Sequence, residues 1–297
     1  RFGIYNLDAP VSRLAGWGMV QTKSSRPTEL SSSGTVPSDP LLAQDSSSSG
    51  SSLITGDEPM RLLTAIPVYN EEKYIGPVLA EVLAHAGDVL VVDDGSTDGT
   101  PDCLAQFSEI QVVRHPHNLG YGAGLRTAFQ YTLDHGYDGL ITLDCDGQHE
   151  PNYIPEISMP LNTFDIVSGS RYLQRLDPNQ RAPEQRRRIN VEVTRWINGS
   201  LDWRLTDAFC GFKAYRASAL AKFEITDLGY AMPLQVWVQA KQYGLSIIEV
   251  PVPLIYLDES RAFGGSLDDP SHRLNHYKQV FLDAMARAGL PTKEGCP

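Results

Sequence analysis

Short apolar runs and helical patterns alternate along the chain from about residue 60 onward. The runs are rich in β-branched residues, as strands are, and cover residues 61–66, 88–92, 110–114, 139–143, 165–168 and 212–216. Helical periodicity appears at 71–85, from about 100, and at 121–135, 152–157, 185–201, 230–243 and 270–289. This alternation predicts an α/β fold with a parallel sheet and right-handed crossovers. Residues 246–250 and 252–257 are expected to form a strand pair or one bent strand, interrupted by prolines.

Two acidic residues directly follow the apolar run at 139–143. Asp144 and Asp146 would lie at the carboxyl end of a strand, the edge where open α/β sheets bind ligands. Two carboxylates at such a place repel each other unless a cation lies between them, and oxygen ligands suit Mg²⁺ or Mn²⁺. The pattern is consistent with a metal that holds a diphosphate, and equally with a solvated turn that carries two aspartates.

Glycines and acidic residues stand at two further places where a strand ends or a helix begins. Gly120, Gly122 and Gly124 open a helix, and such turns can bind phosphate through backbone N–H groups. Their spacing differs from the dinucleotide-binding pattern, so a tight helix start explains them at least as well. Asp93 and Asp94 either end a strand or accept hydrogen bonds from a nucleoside.

Composition limits the classes of function. The net charge of −11 argues against nucleic-acid binding, and 41% hydrophobic residues support a substantial core. The four cysteines are scattered and form no Cys-x-x-Cys pair, which indicates reduced thiols. No apolar run has the length of a membrane span, and no signal peptide is visible. A cytoplasmic protein is therefore expected. Residues 1–58 contain a serine-rich segment at 31–52 and are expected to be a disordered tail.

Four segments carry a more specific signal: 66–72 (IPVYNEE), 91–100 (VVDDGSTDGT), 118–120 (NLG) and 144–149 (DCDGQH). Their order and spacing resemble those of family 2 glycosyltransferases with the GT-A fold, in particular the dolichol-phosphate mannose and polyprenyl-phosphate glucose synthases. The resemblance runs from about residue 62 to 216 and more weakly to about 267. It implies a Rossmann-like, mostly parallel sheet with helices on both faces at 59–267, followed by a C-terminal helix and tail at 268–297.

The resemblance implies the residues that bind a nucleotide diphosphate sugar. They would be Pro67, Tyr69, Glu71, Asp94, Asp144 and Asp146. In the family the first three surround the nucleoside and the residue matching Asp94 contacts the base. Asp144 and Asp146 would bind a Mg²⁺ or Mn²⁺ ion, with Gln148 as a third ligand. The donor would be a GDP- or UDP-sugar.

Arginines are concentrated between residues 171 and 195, although the chain as a whole is acidic. The planar guanidinium group suits phosphate because it donates two hydrogen bonds at once. The resemblance implies that this region receives a lipid phosphate, and the candidate residues are Arg171, Arg186, Arg187 and Arg188. The alternative is a solvated helix face with counter-charges.

Two further residues are implied to act as catalytic residues. Asp207 occupies the place of an acidic catalytic residue in many family members, and the alternative is a turn aspartate that orders its loop. A phosphate acceptor is already an anion, so Asp207 would orient the acceptor or the sugar rather than take a proton. Arg261, with Gly264 and Ser266, fits a loop that folds over the diphosphate in the synthases. The lysine that follows the serine in the synthases is absent from this chain, where Leu267 follows Ser266.

The resulting hypothesis is an inverting, metal-dependent transfer of a sugar to a polyprenyl phosphate, with room for peripheral contact at the inner face of a membrane. One alternative is a saccharide hydroxyl acceptor, for which Asp207 would be the base, and another is a non-catalytic nucleotide-sugar-binding protein. A nucleotidyltransferase is disfavoured, since segment 67–71 lacks a glycine-rich triphosphate loop. The amphipathic helix at 270–289 is expected to pack on the domain, because Asp268, Asp269 and Asp283 do not favour an anionic bilayer.

Overall fold

One sheet of eight strands organises the described part of the chain in this computed structural model, which describes residues 19–20, 59–174, 181–255 and 265–292. The strands are β1 (Met19–Val20), β2 (Leu62–Val68), β3 (Asp88–Asp93), β4 (Gln111–Arg114), β5 (Gly139–Thr142), β6 (Ile166–Ser170), β7 (Lys213–Arg216) and β8 (Ile247–Pro251). Their order across the sheet is β1-β8-β6-β7-β5-β2-β3-β4. Only β1 and β7 of these strands run antiparallel to their neighbours. The predicted mostly parallel α/β fold is confirmed.

Helices pack on both faces of this sheet. They are α1 (Ile75–Val82), α2 (Thr100–Leu104), α3 (Tyr121–Asp134), α4 (Ile154–Ser158), α5 (Glu184–Leu201), α6 (Ala217–Leu220), α7 (Met232–Gln242) and α8 (Pro270–Arg287). Short 3-10 turns lie at Pro151–Tyr153, Met159–Asn162 and Gly265–Asp268. Side chains of β2 alternate between two cores: Leu63 and Ala65 pack with α3, α5 and α7, whereas Ile66 and Val68 pack with α1 and α4.

The order of the strands creates a crevice next to β2. From β2 the chain moves outward to β3 and β4, and it then returns to β5 on the other side of β2. The loops that leave β2 and β5 therefore diverge at the carboxyl edge of the sheet, which is where open α/β sheets bind ligands. Because β7 is antiparallel, the loop that precedes it reaches the same edge.

The first helix is shorter than the predicted 71–85, because the loop before it is bound to the loop after β3. The Glu71 N–H donates to Thr100 Oγ1 at 2.8 Å, and the Glu72 N–H donates to Asp98 Oδ2 at 3.2 Å. Asn70 has a left-handed backbone with φ of 56°, and its side-chain oxygen accepts from the Thr97 N–H at 2.8 Å. These bonds hold two motif loops together instead of extending the helix.

The predicted continuation of the last strand is absent from residues 252–255, where no ladder pairing follows β8. Pro251 ends the strand and Pro253 follows two residues later, and neither has an N–H to donate. The Val252 N–H still donates to Ser170 O at 3.0 Å. Residues 256 and 257 of the predicted strand lie outside the described residues.

One segment near the start of the chain adds a strand to the sheet, and the last helix packs on the domain. Met19–Val20 pairs with β8, and the backbone groups of these two residues extend the sheet edge. The rest of that segment lies outside the described residues. The prediction that the last helix packs on the domain is confirmed, since α8 buries Tyr277, Phe281 and Met285 against the helical core. In the described ranges no helix has the length and apolarity to cross a membrane.

Candidate active site

A cavity of about 800 Å³ lies at the carboxyl edge of the sheet. The loops after β2, β3, β5 and β6 form one side of it, and side chains from α3, α5, α7 and α8 form the other. Many of the predicted site residues line this cavity: Pro67, Tyr69, Glu71, Asp94, Asp144, Asp146, Gln148, Arg171 and Arg186. The structure thus brings together residues from the donor, metal and acceptor sets.

Asp94 lines the cavity, and its carboxylate also fixes the glycine-rich turn. It accepts hydrogen bonds from the Leu119 N–H at 2.9 Å and the Gly120 N–H at 2.8 Å, and His115 Nδ1 lies 2.6 Å away. Gly120 has φ of +108°, and a Cβ there would lie 2.3 Å from Leu228 O. Because its N–H is bound to Asp94, the interpretation of these glycines as a tight helix start fits better than phosphate binding.

Asp144 is held at the centre of the cavity wall by groups from three segments. Its Oδ1 accepts from the Tyr121 hydroxyl at 3.0 Å, and its N–H donates to His149 Nδ1 at 3.0 Å. Burial lowers the pKa of His149 to about 4, so the ring is neutral and Nδ1 is free of a proton. A Cβ on Gly211 would lie 2.2 Å from Asp144 Oδ2, so only glycine leaves room for this carboxylate.

The oxygen atoms around Asp144 match the chemistry of a hard divalent cation. Asp146 lies two residues on and accepts from the Gln148 N–H at 3.0 Å, and Gln148 is 7% exposed on the cavity wall. Within the described ranges, no group of three or more His, Cys, Asp or Glu side chains is placed to hold a metal. Two carboxylates, an amide oxygen and the phosphates of a ligand are a donor set that Mg²⁺ accepts.

Asp207 lies behind the cavity wall, bound to Arg171. Arg171 donates from Nε to Oδ2 at 2.7 Å and from Nη2 to Oδ1 at 2.9 Å, and Asn190 Nδ2 donates to Oδ1 at 2.7 Å. The Arg171 and Phe209 N–H groups add bonds of 3.2 Å each. Burial alone would raise the pKa of Asp207, but the Arg171 charge and these bonds lower it to about 2.

The surroundings of Asp207 bear on its implied catalytic role, which stays a prediction. Its side chain is fully buried, is absent from the cavity lining and accepts five hydrogen bonds. A carboxylate that is so well bound is a poor base, which counts against the alternative with a saccharide hydroxyl acceptor. Asp207 binds Arg171, a residue that does line the cavity.

A second buried carboxylate supports the loop that carries Asp207. Glu249 of β8 accepts from the Thr206 N–H at 2.9 Å and from the Asp207 N–H at 3.1 Å. Burial raises the pKa of Glu249 to about 7, although these hydrogen bonds oppose the shift. The loop is therefore anchored by two contacts, one with Glu249 and one with Arg171.

The four arginine candidates separate into two pairs. Arg171 and Arg186 line the cavity, whereas Arg187 and Arg188 are exposed and line another groove of about 360 Å³ together with Arg195. Successive residues of a helix point about 100° apart, so one turn of α5 cannot aim three adjacent arginines at one site. The assignment of Arg187 and Arg188 to the acceptor site is thus not supported. Arg261 lies outside the described residues.

Sequence reasoning missed four side chains that shape the site: Tyr121, His149, Lys213 and Arg273. Tyr121 stacks on Tyr230 with ring centroids 5.5 Å apart, and both rings line the cavity. Lys213 is 3% exposed on the cavity wall and donates to Cys210 O, and burial lowers its pKa. His149 stands next to the acidic motif and was the easiest to find. Arg273 lies on a helix far along the chain with no motif to mark it.

Comparison with known proteins agrees with this geometry. The family model described as glycosyl transferase family 2 matches residues 64–223. The undecaprenyl-phosphate mannosyltransferase of Micrococcus luteus is 32% identical over 220 residues, which are 69% of this chain and 89% of that protein. The polyprenol monophosphomannose synthase of Mycolicibacterium smegmatis is 29% identical over 204 residues, which are 65% of this chain and 76% of that protein.

The fold is also that of a solved enzyme. Glucosyl-3-phosphoglycerate synthase from Mycobacterium tuberculosis, in complex with Mn²⁺, UDP and phosphoglyceric acid, superposes with a TM-score of 0.58 at 19% identity and covers 80% of this chain and 81% of that one. Another structure of that enzyme contains Mg²⁺ and UDP. At this identity the likeness shows the fold alone. The family match over more than half of the chain shows that the protein belongs to glycosyl transferase family 2 and is a glycosyltransferase.

Proposed function

We propose that the chain transfers a sugar from a nucleotide diphosphate sugar to a polyprenyl phosphate, with inversion at the anomeric carbon and with the help of Mg²⁺ or Mn²⁺. The observation that carries the proposal is that two aspartates, Asp144 and Asp146, and two arginines, Arg171 and Arg186, line one cavity. A donor diphosphate and an acceptor phosphate would each find a matching charge there. The named activities of the relatives from Micrococcus and Mycolicibacterium support this choice of acceptor.

The donor half of the cavity suits a nucleotide diphosphate. Pro67, Tyr69, Glu71 and Asp94 surround its nucleoside end, and Tyr69 is 42% exposed, so its ring is accessible to a base. Asp144, Asp146 and Gln148 would hold a divalent cation. When bound, such an ion offsets the charge that develops on a departing diphosphate.

The acceptor half suits a phosphate better than a hydroxyl group. A phosphate monoester is ionised at neutral pH and needs no base, whereas a hydroxyl group must lose its proton during attack. The nearby carboxylate of Asp207 is engaged by five donors, so it is not placed to take that proton. Arg171 lines the cavity and is held by Asp207, and it would align the acceptor oxygen with the anomeric carbon.

The reaction is then a single displacement. An oxygen of the acceptor phosphate forms a bond to the anomeric carbon from the face opposite the diphosphate, and the bond from that carbon to the diphosphate oxygen breaks. The protein orients both partners and excludes competing water from the cavity. Because the acceptor is a membrane lipid, the proposal includes a peripheral contact with a membrane surface.

Replacing Tyr121 by Phe tests how the diphosphate site is organised. The change removes the hydroxyl that donates to Asp144 at 3.0 Å but keeps the ring on Tyr230. We expect Mn²⁺ to activate the variant with about tenfold weaker affinity, since partners that orient a metal ligand typically contribute 10–100-fold. Titration of the initial rate with Mn²⁺ measures this. Tyr131→Phe on the same helix is the control, and an unchanged Mn²⁺ affinity in Tyr121→Phe contradicts the assignment.

A screen of donors and acceptors tests the proposed function. The purified chain is incubated with radiolabelled GDP- and UDP-sugars and with polyprenyl phosphate, polyprenol or an oligosaccharide, with Mn²⁺ or with a chelator. We expect label in the organic phase with one of the donors and with polyprenyl phosphate as the only productive acceptor. When the chelator replaces Mn²⁺, we expect no transfer. Label that stays in the aqueous phase with every donor would rule out the lipid phosphate acceptor.

A further inference from the structure

We propose that Glu249 is a positioning residue for the acceptor half of the cavity, and that it acts as a carboxylate by fixing the two chain segments that hold Arg171. The inference rests on the proposed function, because it takes Arg171 as the residue that aligns the acceptor phosphate. Glu249 lies on β8, is 1% exposed and lines no part of the cavity. Its influence on the reaction would therefore pass through other residues.

The carboxylate of Glu249 belongs to a row of polar side chains that crosses the sheet. The members stand opposite one another on four neighbouring strands, and each is at most 3% exposed: Glu249 on β8, Ser168 on β6, Lys213 on β7 and Thr142 on β5. Residues directly opposite each other in a sheet point to the same face. The row therefore lies on one face, at the carboxyl edge of β5, β6 and β8.

Glu249 is bound directly to the loop that carries Asp207. Its Oε1 accepts from the Asp207 N–H at 3.1 Å, and its Oε2 accepts from the Thr206 N–H at 2.9 Å and from the Thr206 hydroxyl at 3.0 Å. Asp207 in turn accepts from Arg171 Nε at 2.7 Å. The first path from Glu249 to the acceptor half therefore has a single intermediate residue.

A second path runs through two hydroxyl groups. Ser170 Oγ lies 2.6 Å from Thr206 Oγ1. It also accepts from the Tyr172 N–H at 3.2 Å and from the Leu173 N–H at 3.0 Å. These bonds fix the backbone on both sides of Arg171, the residue between Ser170 and Tyr172.

The charge of Glu249 sets the direction of the hydroxyl bonds. A carboxylate only accepts, so the Thr206 hydroxyl donates to Glu249 and its oxygen can accept from the Ser170 hydroxyl. A protonated Glu249 would instead donate to Thr206. The Thr206 hydrogen would then turn to Ser170, and the Ser170 hydrogen would lose this acceptor. A glutamine at position 249 would have the same effect, because its amide nitrogen donates.

The other end of the same loop has anchors of its own. Lys213 donates to Cys210 O, and Thr142 Oγ1 donates to Gly211 O at 2.8 Å. Gly211 is the residue that leaves room for the carboxylate at the proposed metal site. A change at Glu249 should therefore disturb the acceptor half of the cavity and leave the donor half in place.

Glu249 changes its charge within the pH range of an activity assay. Burial raises its pKa to about 7, the charge of Asp207 acts in the same direction, and the hydrogen bonds from Thr206 and Asp207 oppose the shift. Two further charged groups lie on this side of the sheet: Arg171, which is paired with Asp207, and Lys213, two strands away in the row. The acceptor half should be fixed above about pH 7 and loosened below it.

The kinetic test compares Glu249→Gln with Glu224→Gln, a control whose side chain is exposed and lines no part of the cavity. At about pH 8.5, Glu249→Gln should raise the KM for polyprenyl phosphate about tenfold, as for loss of a hydrogen bond to a charged group. At about pH 5.5 the ratio of the two KM values should fall below about threefold, because the wild-type carboxylate is then protonated as well. Ionisation of the acceptor itself affects both proteins alike. The donor KM should not change, and Glu224→Gln should behave as wild type at both pH values.

Amide hydrogen exchange measures the same contacts without any substrate. Above about pH 7, the Tyr172 and Leu173 N–H groups should exchange at least about tenfold faster in Glu249→Gln than in wild type. Thr206→Val should have a similar effect on exchange and on the acceptor KM, because it removes the hydroxyl of the second path and keeps the backbone N–H that donates to Glu249.

Three results would overturn the inference. The first is an acceptor KM of Glu249→Gln that equals that of Glu224→Gln at about pH 8.5, whether or not the exchange rates change. The second is a KM ratio that is the same at both pH values, and the third is an equal rise in the donor KM. If Glu249→Gln does not fold, an unchanged acceptor KM in Thr206→Val would overturn it instead.

The outcomes also distinguish this inference from the proposed function. If wild type transfers no sugar to polyprenyl phosphate but the two N–H groups respond as expected, the proposed function is wrong and the path from Glu249 to Arg171 stands. If wild type transfers sugar and neither the acceptor KM nor the exchange responds, the inference is wrong and the function stands. If wild type transfers no sugar and the exchange does not respond, both are wrong.

Discussion

Replacing Asp144 by Asn should lower kcat about 1000-fold, the largest effect expected of any single change in this chain. The substitution keeps the size of the side chain but removes its charge and one of its two oxygens. Asp144 sits at the centre of the cavity wall with its Oδ1 bound to the Tyr121 hydroxyl and its N–H bound to His149. A neutral amide there would hold a divalent cation more weakly than a carboxylate does, and without the cation the charge of the departing diphosphate would not be offset.

The measurement is the rate of lipid-linked product formation at saturating donor, with circular dichroism to confirm the fold. Asp102→Asn is the matched control, because Asp102 is an exposed aspartate on α2 outside the cavity lining. Its kcat should change less than about twofold. A variant at Asp144 that keeps a tenth of the wild-type rate would show that the carboxylate is not part of the catalytic site.

Replacing Asp207 by Ala should destabilise the folded chain by about 3 kcal/mol, because it removes the carboxylate that pairs with the buried charge of Arg171. Arg171 donates to this carboxylate at 2.7 Å and 2.9 Å, and its side chain is only 12% exposed. Unfolding in urea measures the loss. The same variant should have a raised KM for the acceptor, because the orientation of Arg171 in the cavity is lost.

The stability that Asp207 contributes to the folded chain should decrease as the pH is lowered. Its folded-state pKa of about 2 lies below the ordinary value of 3.8, so the ion pair contributes stability above about pH 4. That contribution is lost as the pH falls from about 4 through 2, and the difference between wild type and Asp207→Ala should shrink over this range. Asp283→Ala is the control, since Asp283 is exposed and accepts from Gln279 Nε2 of its own helix at 2.9 Å.

An Asp207→Ala variant that unfolds at the same urea concentration as Asp283→Ala would contradict the ion-pair account. A variant that keeps its stability but loses most of its kcat, together with the acidic limb of the wild-type pH profile, would point instead to a base at this position. The two results are separable because urea unfolding reports the buried pair, and the pH profile of kcat reports proton transfer in the bound complex.

The fold followed from the sequence to a large extent because its signals are local. Apolar runs with β-branched residues mark β2, β3 and β5 to within two residues at each end. The position of Asp144 and Asp146 follows from one rule, that carboxyl ends of parallel strands face the ligand. The first helix was predicted too long, because the bonds from Asp98 and Thr100 to the loop before it come from a segment 26 or 29 residues away.

The parts that were not predicted depend on contacts between distant segments. The motif around Asp207 does not reveal that Arg171, 36 residues away, binds its carboxylate. Which arginine of 186–188 faces the cavity depends on how α5 is rotated against α7 and α8, and no periodicity fixes that rotation. The position of Arg273 on the cavity lining could not be found, since it depends on the packing of α8 beside α5.

The most direct test of the account is the chemical linkage in the lipid product. From a donor with the sugar in the α configuration, the account predicts a β-linked phosphodiester between the anomeric carbon and the lipid phosphate. Proton and phosphorus NMR of the purified product read out both the anomeric configuration and the phosphorus environment. A product with the α configuration, or one whose sugar is joined to a hydroxyl rather than to the lipid phosphate, would contradict it.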